Sequence, residues 1–142
     1  MLDVPQKQRF VVWKDFYSVG NDELDNHHRA ILAIINDLYE SVMTGKARQV
    51  RRPIFDRLMK YTKVHFAREE ELLKASSFPD LARHKLFHEK LTQKTLDLWK
   101  QSAQPGAVGD NELLRFLKEW WINHIGGEDK KYSPSLQHLG IS

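Results

Sequence analysis

Five of the seven histidines in this 142-residue chain lie where the core of a helical bundle would ordinarily carry leucine. Two acidic residues share the same apolar stripes. Side chains four residues apart on a helix project from one face, and the chain has two such pairs, His65 with Glu69 and His84 with His88. Buried imidazoles and carboxylates need partners or a metal ion. The pattern therefore predicts helices that bring a cage of nitrogen and oxygen donors into one core.

Four amphipathic helices are predicted from apolar residues that recur at helical spacing. Their approximate limits are Leu24 to Thr44, Pro53 to Ala75, Ser77 and Pro79 to the loop Gln104-Pro105-Gly106, and Asp110 to Gly126-Gly127. The expected capping signals are Asn21 or Asp22 before the first helix, Gly45 after it, Pro53 in the first turn of the second, and Ser77 with Asp80 before the third. No segment alternates like a strand. We therefore predict an all-α fold, an antiparallel up-down-up-down four-helix bundle.

One domain is expected over residues 1–142, because this length suits a single hydrophobic core. It divides into an N-terminal arm (1–20), the bundle (21–132) and a tail (133–142). The arm carries four aromatic rings that are expected to be buried, those of Phe10, Trp13, Phe16 and Tyr17. The tail is expected to wrap back over the bundle.

The composition narrows the classes of function. Apolar residues make up 41% of the chain and charged residues 29%, as in a soluble globular protein. Cysteine is absent, which excludes disulfides, thiolate zinc sites and iron–sulfur centres. With no apolar run long enough for a signal peptide or a membrane span, a cytoplasmic protein without a membrane partner is expected. The net charge is only +3, and the basic cluster of Lys46, Arg48, Arg51 and Arg52 is best interpreted as a solvated helix start, so no nucleic-acid partner is expected.

The candidate metal ligands come from all four helices, which an up-down bundle brings to one level. They are His28, His65, Glu69, His84, His88, His124 and Asp129. Asp129 follows His124 by five residues, a spacing that turns it off the shared face of an intact α-helix. The Gly126-Gly127 pair is expected to supply the distortion that returns Asp129 to that face.

Seven donors exceed what a mononuclear site with an open position needs, and they suit two metal ions that share two carboxylates. Five imidazoles supply five bonds, two bridging carboxylates four, and one bridging oxygen atom two. Eleven of the twelve positions of two octahedra are then filled, which leaves one for a small ligand. Mixed imidazole and carboxylate donors suit iron, and also manganese, zinc or copper. Donor chemistry by itself leaves the metal undecided.

Two other metal-binding patterns do not fit. A zincin needs His-Glu-x-x-His, and the run from His88 to Thr92 lacks the second histidine. Ferritin-like di-iron proteins use paired Glu-x-x-His motifs, and no such motif occurs in the sequence.

Four stretches carry a resemblance to a known family. They are Leu24-Asp25-Asn26-His27-His28, His65-Phe66-Ala67-Arg68-Glu69-Glu70, Phe78-Pro79 followed by His84 and His88, and Trp120 to Ile125 followed by Asp129. Together they resemble the hemerythrin family in its single-domain bacterial form. The resemblance extends from Trp13 to Tyr132.

This resemblance implies an oxo- or hydroxo-bridged pair of iron ions that binds dioxygen reversibly, for oxygen carriage, storage or sensing. One iron would be held by His84, His88 and His124, the other by His28 and His65, and Glu69 and Asp129 would bridge the two. Dioxygen, the implied partner, would bind at the two-histidine iron. The alternatives are a di-iron oxidase or peroxidase and an iron-storage or detoxification protein. Since no acid–base pair outside the cage supports catalysis, an enzyme is not expected.

Two residues beside the first ligand need separate interpretation. His27 stands where the family usually has Gln, about 100° around the helix from His28. It is expected to face outward or toward a neighbouring helix, with a role in orienting a ligand as the alternative. Asp25 is expected to accept a hydrogen bond from a ligating imidazole or to cap the first turn.

Overall fold

Four long helices form most of the chain in the computed structural model, which describes residues 10–102 and 109–138. They are α1 (Asp22–Met43), α2 (Arg48–Ala75), α3 (Leu81–Ser102) and α4 (Gly109–Asn123), followed by a short α5 (Ser133–His138). Each long helix packs against the next, and α1 also packs against α4. No strand occurs in the described ranges. The predicted all-α up-down-up-down bundle is confirmed.

The ends of α1 follow the sequence prediction. The Asn21 side chain accepts a hydrogen bond from the Leu24 amide at 2.9 Å and so caps the helix. At the other end, Gly45 adopts a left-handed φ of 72°. The Gly45 and Lys46 amides donate back to the carbonyls of Val42 and Ser41, which is the Schellman arrangement that glycine favours.

The start of α2 differs from the prediction. The helix begins at Arg48, so Pro53 lies in its second turn and not in its first. The Arg48 guanidinium donates to the Trp99 carbonyl oxygen at 2.8 Å and lies 3.9 Å from the centre of the Trp99 ring. Arg51 pairs with Asp110. These contacts with α3 and α4 stabilise an extra first turn, and they engage two members of the basic cluster within the chain.

The connection between α2 and α3 also differs from the prediction. Ser77, expected to cap α3, has a φ of 54° and ends α2. The Ser77 amide donates to the Lys74 carbonyl and the Phe78 amide to the Leu73 carbonyl, both at 3.1 Å. This is a second Schellman motif, with serine in the position that glycine usually takes. The predicted capping box is therefore wrong, and α3 begins at Leu81.

The described part of the arm lies along α1. Val11 exchanges two hydrogen bonds of 2.8 Å with the Asn36 side chain: the Val11 amide donates to Asn36 Oδ1, and the Val11 carbonyl oxygen accepts from Asn36 Nδ2. The Phe10 ring stacks on Tyr39 with 4.4 Å between ring centres. Tyr17 is buried, but Phe16 is 65% exposed, contrary to prediction. Residues 1–9 of the arm lie outside the described ranges.

Lys130 accounts for the position of Phe16. Its ammonium group donates to the Phe16 carbonyl oxygen and lies 4.2 Å from the centre of the Phe16 ring. A cation over an aromatic face stabilises a ring that still contacts solvent. Lys130 thus anchors the backbone of this part of the arm, while the Phe16 ring stays outside the core.

The tail packs against the end of the bundle that carries the donors, as predicted for residues 133–136. The Ser133 hydroxyl donates to the Val19 carbonyl oxygen at 2.6 Å, and Leu136 is fully buried. A small apolar cluster closes this end, formed by Val19, Leu24, Leu72, Leu73, Tyr132 and Leu136. Residues 139–142, the side chain of His138 and the predicted loop Gln104-Pro105-Gly106 lie outside the described part. No described helix has the length and apolarity needed to cross a bilayer.

Candidate metal centre

The structure brings all seven predicted donors together at one end of the bundle. They lie near the start of α1 and α3 and near the end of α2 and α4, which antiparallel packing places at the same level. Each is at most 3% exposed, and they are His28, His65, Glu69, His84, His88, His124 and Asp129. The sequence prediction of where these side chains meet is confirmed. Their role as metal ligands stays a prediction.

The donor atoms form two overlapping sets. One consists of Glu69, His84, His88, His124 and Asp129, and the other of His28, His65, Glu69 and Asp129. Within each set all donor atoms lie within 4.8 Å of one another. Glu69 and Asp129 belong to both sets, so each has two oxygen atoms available to two cations. The arrangement matches a pair of metal positions that share two carboxylates.

A π turn links α4 to the last donor. His124–Glu128 forms one π-helical turn, and the Asp129 amide donates to the His124 carbonyl oxygen five residues back. A π turn closes over five residues, whereas an α turn closes over four. It therefore places Asp129 on the same face as His124, and Asp129 Oδ1 lies 2.8 Å from His124 Nε2. The predicted helix distortion is confirmed.

The glycine pair in this turn is not required on steric grounds. A Cβ atom on Gly127 would meet nothing within 4 Å, and one on Gly126 would lie 3.5 Å from the rings of Phe16 and Tyr17, an ordinary contact. Neither glycine has a positive φ. The pair is therefore needed neither for space nor for a left-handed backbone conformation.

The donors fit cations because many of their polar atoms are otherwise unpartnered. Among the buried side-chain atoms that lack a hydrogen-bond partner in the described part of the chain are six at the donor sets, namely Nε2 of His28, His65, His88 and His124 and both carboxylate oxygens of Asp129. His28 Nε2 lies 3.0 Å from Asp129 Oδ2, but the pair does not have the angles of a hydrogen bond. A buried polar atom without a partner costs about 1–3 kcal/mol. A cation at each set would satisfy these atoms.

Burial and charge oppose each other at the ionisable groups of the metal-free centre. Burial lowers the pKa of His28 and His84, but contacts with the two carboxylates outweigh it and raise these pKa values to about 9 and about 10. At His65 burial prevails, and the pKa falls to about 4. Burial raises the pKa of Glu69 and Asp129, but the surrounding imidazoles hold both well below the usual range. Both carboxylates are therefore anionic, as a cation site requires.

Two residues that the sequence analysis did not assign to the site hold its donors in place. The Tyr132 hydroxyl donates to Glu69 Oε2 at 2.9 Å and is completely buried. His88 Nδ1 donates to Glu70 Oε2 at 2.7 Å, which leaves His88 Nε2 directed at the donor sets. A carboxylate on the far nitrogen orients a ligating imidazole and fixes its tautomer.

His27 and Asp25 also make specific contacts. His27 Nδ1 lies 2.9 Å from Nδ1 of His65, so this side chain faces α2, one of the directions expected. Burial lowers the pKa of His27, which favours its neutral form. Asp25 accepts from the Ser18 hydroxyl and the Val19 amide. It ties the arm to α1, in place of either role expected for it.

Aromatic rings enclose the three-histidine side of the centre. Phe66 stacks on His88 with 3.6 Å between ring centres and 4° between ring planes. Trp120 stacks on His124 at 4.5 Å. Phe66 is buried in the core, and Trp120 is partly buried against it. Their stacking restricts rotation of the two imidazoles and keeps water away from them.

Comparisons with known proteins agree with this geometry. Residues 19–136 match the Hemerythrin HHE cation binding domain. The chain is 33% identical over 130 residues to "Bacteriohemerythrin" of Stenotrophomonas maltophilia, which covers 91% of this chain and 84% of that protein. It is 34% identical over 124 residues to "Hemerythrin-like protein" of Naegleria gruberi, covering 87% and 92% of the two chains.

Solved structures agree as well. A crystal structure of a point mutant of hemerythrin superposes with a TM-score of 0.81 at 30% identity and covers 91% of this chain and 98% of that one. The crystal structure of wild-type hemerythrin superposes with a TM-score of 0.79 at the same identity. The chain belongs to the hemerythrin family.

Proposed function

We propose that this chain is a non-haem di-iron protein that binds dioxygen reversibly, for oxygen carriage, storage or sensing. Its membership of the hemerythrin family supports a di-iron, oxygen-binding protein. The observation that carries the proposal is the pair of buried donor sets that share Glu69 and Asp129. Two shared carboxylates among five imidazoles are what a pair of adjacent iron ions needs.

The proposed ligands follow from the two sets. One iron would be held by His84, His88 and His124. The other would be held by His28 and His65. Both irons would be held by Glu69 and Asp129. An iron pair, when bound in its ferrous state, supplies the two electrons that reversible capture of dioxygen draws on. The set with two histidines has one imidazole fewer than the other, so room for a small ligand is expected on that side.

The chain itself contributes burial and orientation. All seven proposed ligands are at most 3% exposed, so bulk water is kept from them. Tyr132 holds Glu69, and Glu70 holds His88. Orientation by hydrogen bonds and stacking reduces the rearrangement that ligand binding requires. These features favour binding of a small molecule over its conversion, and they support an oxygen-binding protein rather than an oxidase.

Iron content and optical spectra together test the proposal. Reduced protein would be assayed for iron per chain and then cycled between anaerobic and aerobic buffer. Two irons per chain and an oxygen-dependent spectrum that disappears on deoxygenation are expected. Iron that oxidises at once, with no reversible spectrum, would contradict reversible binding and favour the di-iron oxidase or peroxidase. Loading well beyond two irons per chain would favour iron storage instead.

A further inference from the structure

We propose that His27 is a positioning residue that fixes the tautomer and orientation of His65. The inference rests on the proposed function, because it takes His65 to be a metal ligand. It starts from one contact, in which Nδ1 of His27 lies 2.9 Å from Nδ1 of His65. His65 lies entirely inside the bundle, whereas the His27 side chain is 19% exposed. The pair therefore connects the donor set to the protein surface.

The direction of this hydrogen bond follows from the chemistry of a ligating imidazole. A neutral imidazole has one protonated and one unprotonated ring nitrogen. Nε2 of His65 belongs to the donor side, 3.3 Å from Glu69 Oε2, and must be unprotonated to bind a cation. The proton of His65 then lies on Nδ1. His27 Nδ1 is the acceptor, so His27 carries its own proton on Nε2.

A surface carboxylate favours this arrangement of protons. His27 Nε2 lies 4.0 Å from Glu23 Oε2, so a proton on Nε2 faces a negative charge. Glu23 is itself held by Arg68, whose Nε and one terminal nitrogen donate to it at 2.8 and 3.1 Å. A connected series of contacts thus runs from the exposed surface to the proposed centre, through Arg68, Glu23, His27 and His65.

Packing holds the His27 ring at the angle that this hydrogen bond needs. The His27 ring makes a T-shaped contact with Tyr61, with 5.9 Å between ring centres, and it is nearly perpendicular to His65, with 88° between the ring planes. His88, on the other donor set, is held by the Glu70 carboxylate. One histidine in each set is therefore held at its far nitrogen by a different group, His88 by a carboxylate and His65 by an imidazole.

A matched pair of substitutions separates hydrogen bonding from packing. In His27→Gln the amide oxygen can still accept from His65 Nδ1, whereas His27→Phe keeps a ring against Tyr61 but has no acceptor. Zn²⁺ is a suitable diamagnetic probe. Its stoichiometry and affinity would be measured by competition with a chromophoric chelator, and histidine tautomers by ¹⁵N NMR of the zinc-loaded protein.

The second zinc ion is expected to bind about 10- to 100-fold more weakly in His27→Phe than in the unmodified chain. In His27→Gln its affinity should be nearly unchanged. The ¹⁵N spectrum of the unmodified chain should show His65 protonated at Nδ1 and His27 at Nε2, and the exchange of the His65 Nδ1 proton with water should accelerate in His27→Phe alone. Melting temperatures of the metal-free variants report any purely structural effect.

Several results would overturn the inference. One is equal affinity for the second zinc ion in the unmodified chain and in His27→Phe. Another is an equal loss of that affinity in His27→Phe and in His27→Gln. Protonation of His27 at Nδ1 in the zinc-loaded unmodified chain would also overturn it, and this measurement does not depend on any variant folding. Failure of the proposed function has a different signature, because the unmodified chain itself would then bind fewer than two ions, and both proposals would fall together.

Discussion

Glu69 and Asp129 differ from the five histidines of the centre because each belongs to both donor sets. Replacing either with Ala is therefore expected to remove both iron ions, whereas loss of one histidine affects one set directly. Iron per chain, measured after reconstitution, should fall from two to well below one. Glu71→Ala is the matched control, since this residue lies on the same helix, is 70% exposed and pairs with Arg68. An alanine variant of Glu69 or Asp129 that retains two irons would contradict the shared-carboxylate arrangement.

Tyr132 provides a second test at the scale of a single residue. Its hydroxyl donates to Glu69 inside the core, and Phe preserves the shape of the ring. Tyr132→Phe is therefore expected to lower the free energy of unfolding of the metal-free protein by about 1.5–3 kcal/mol, because one buried hydrogen bond to a charged carboxylate is lost. Urea denaturation measures the change, with Tyr39→Phe as the control, a partly buried ring on α1 that stacks on Phe10. Equal stability of Tyr132→Phe and the unmodified chain would show that the hydroxyl adds nothing to the fold.

At the scale of elements, the π turn places Asp129 without any steric need for glycine. A Cβ atom on Gly127 has open space around it, and its φ is not positive. Gly127→Ala is therefore expected to keep two irons and to leave stability unchanged or raise it by up to about 1 kcal/mol, because alanine loses less backbone entropy on folding. Iron content and thermal unfolding would be measured together. Loss of iron in this variant would mean that the turn depends on the conformational freedom of glycine.

The attachment of the arm to α1 depends on one side chain. The Asn36 side chain makes two hydrogen bonds with the backbone of Val11, one with the amide and one with the carbonyl oxygen. Asn36→Ala should lower the free energy of unfolding by about 1–3 kcal/mol and expose the arm to proteases. Limited proteolysis with mass spectrometry locates the first cleavage. Asn26→Ala, which affects only an exposed contact with Arg29, serves as the control, and equal cleavage of both variants would argue against this attachment.

Local signals predicted which helices exist better than where they begin. The hydrogen bonds at Asn21 and Gly45 join residues close together in sequence, so the limits of α1 could be predicted from the sequence. The start of α2 depends on Arg48, whose partner Trp99 lies 51 residues away. Ser77 is a poor candidate for a left-handed residue by type, yet it takes that conformation between two helices. Long-range contacts such as these leave no local pattern to read.

At the scale of the whole molecule, the centre was predictable where its donors follow helical periodicity. His65 with Glu69 and His84 with His88 are spaced for one face, and their burial follows from the bundle. The residues that hold the donors are different. Tyr132 reaches Glu69 across 63 positions of sequence, and the contact between His27 and His65 joins two helices. Such pairings depend on how the helices are rotated against one another, which spacing along one helix does not determine.

Stability of the whole domain should depend on pH, because protons and metal ions compete for the same nitrogens. In the metal-free protein the pKa values of His28 and His84 rise to about 9 and about 10, above the unfolded value near 6.5. Such groups stabilise the fold fully below pH 6.5, and this contribution is lost as the pH rises through their folded pKa values. Glu69 and Asp129 have lowered pKa values, so their contribution is present above the ordinary carboxyl range and is lost in acid.

Raising the pH from 6.5 to 9 should therefore lower the melting temperature of the metal-free protein, by roughly 5 °C or more. The metal-loaded protein should change less, because a cation replaces the proton on these imidazoles and binds more tightly as protons become scarce. The gap between the two melting temperatures is thus expected to widen with pH. Circular dichroism of metal-free and zinc-loaded samples across this range measures both curves. A gap that narrows would mean that the raised pKa values of His28 and His84 do not govern the competition, and coincident curves would mean that metal binding is not coupled to folding.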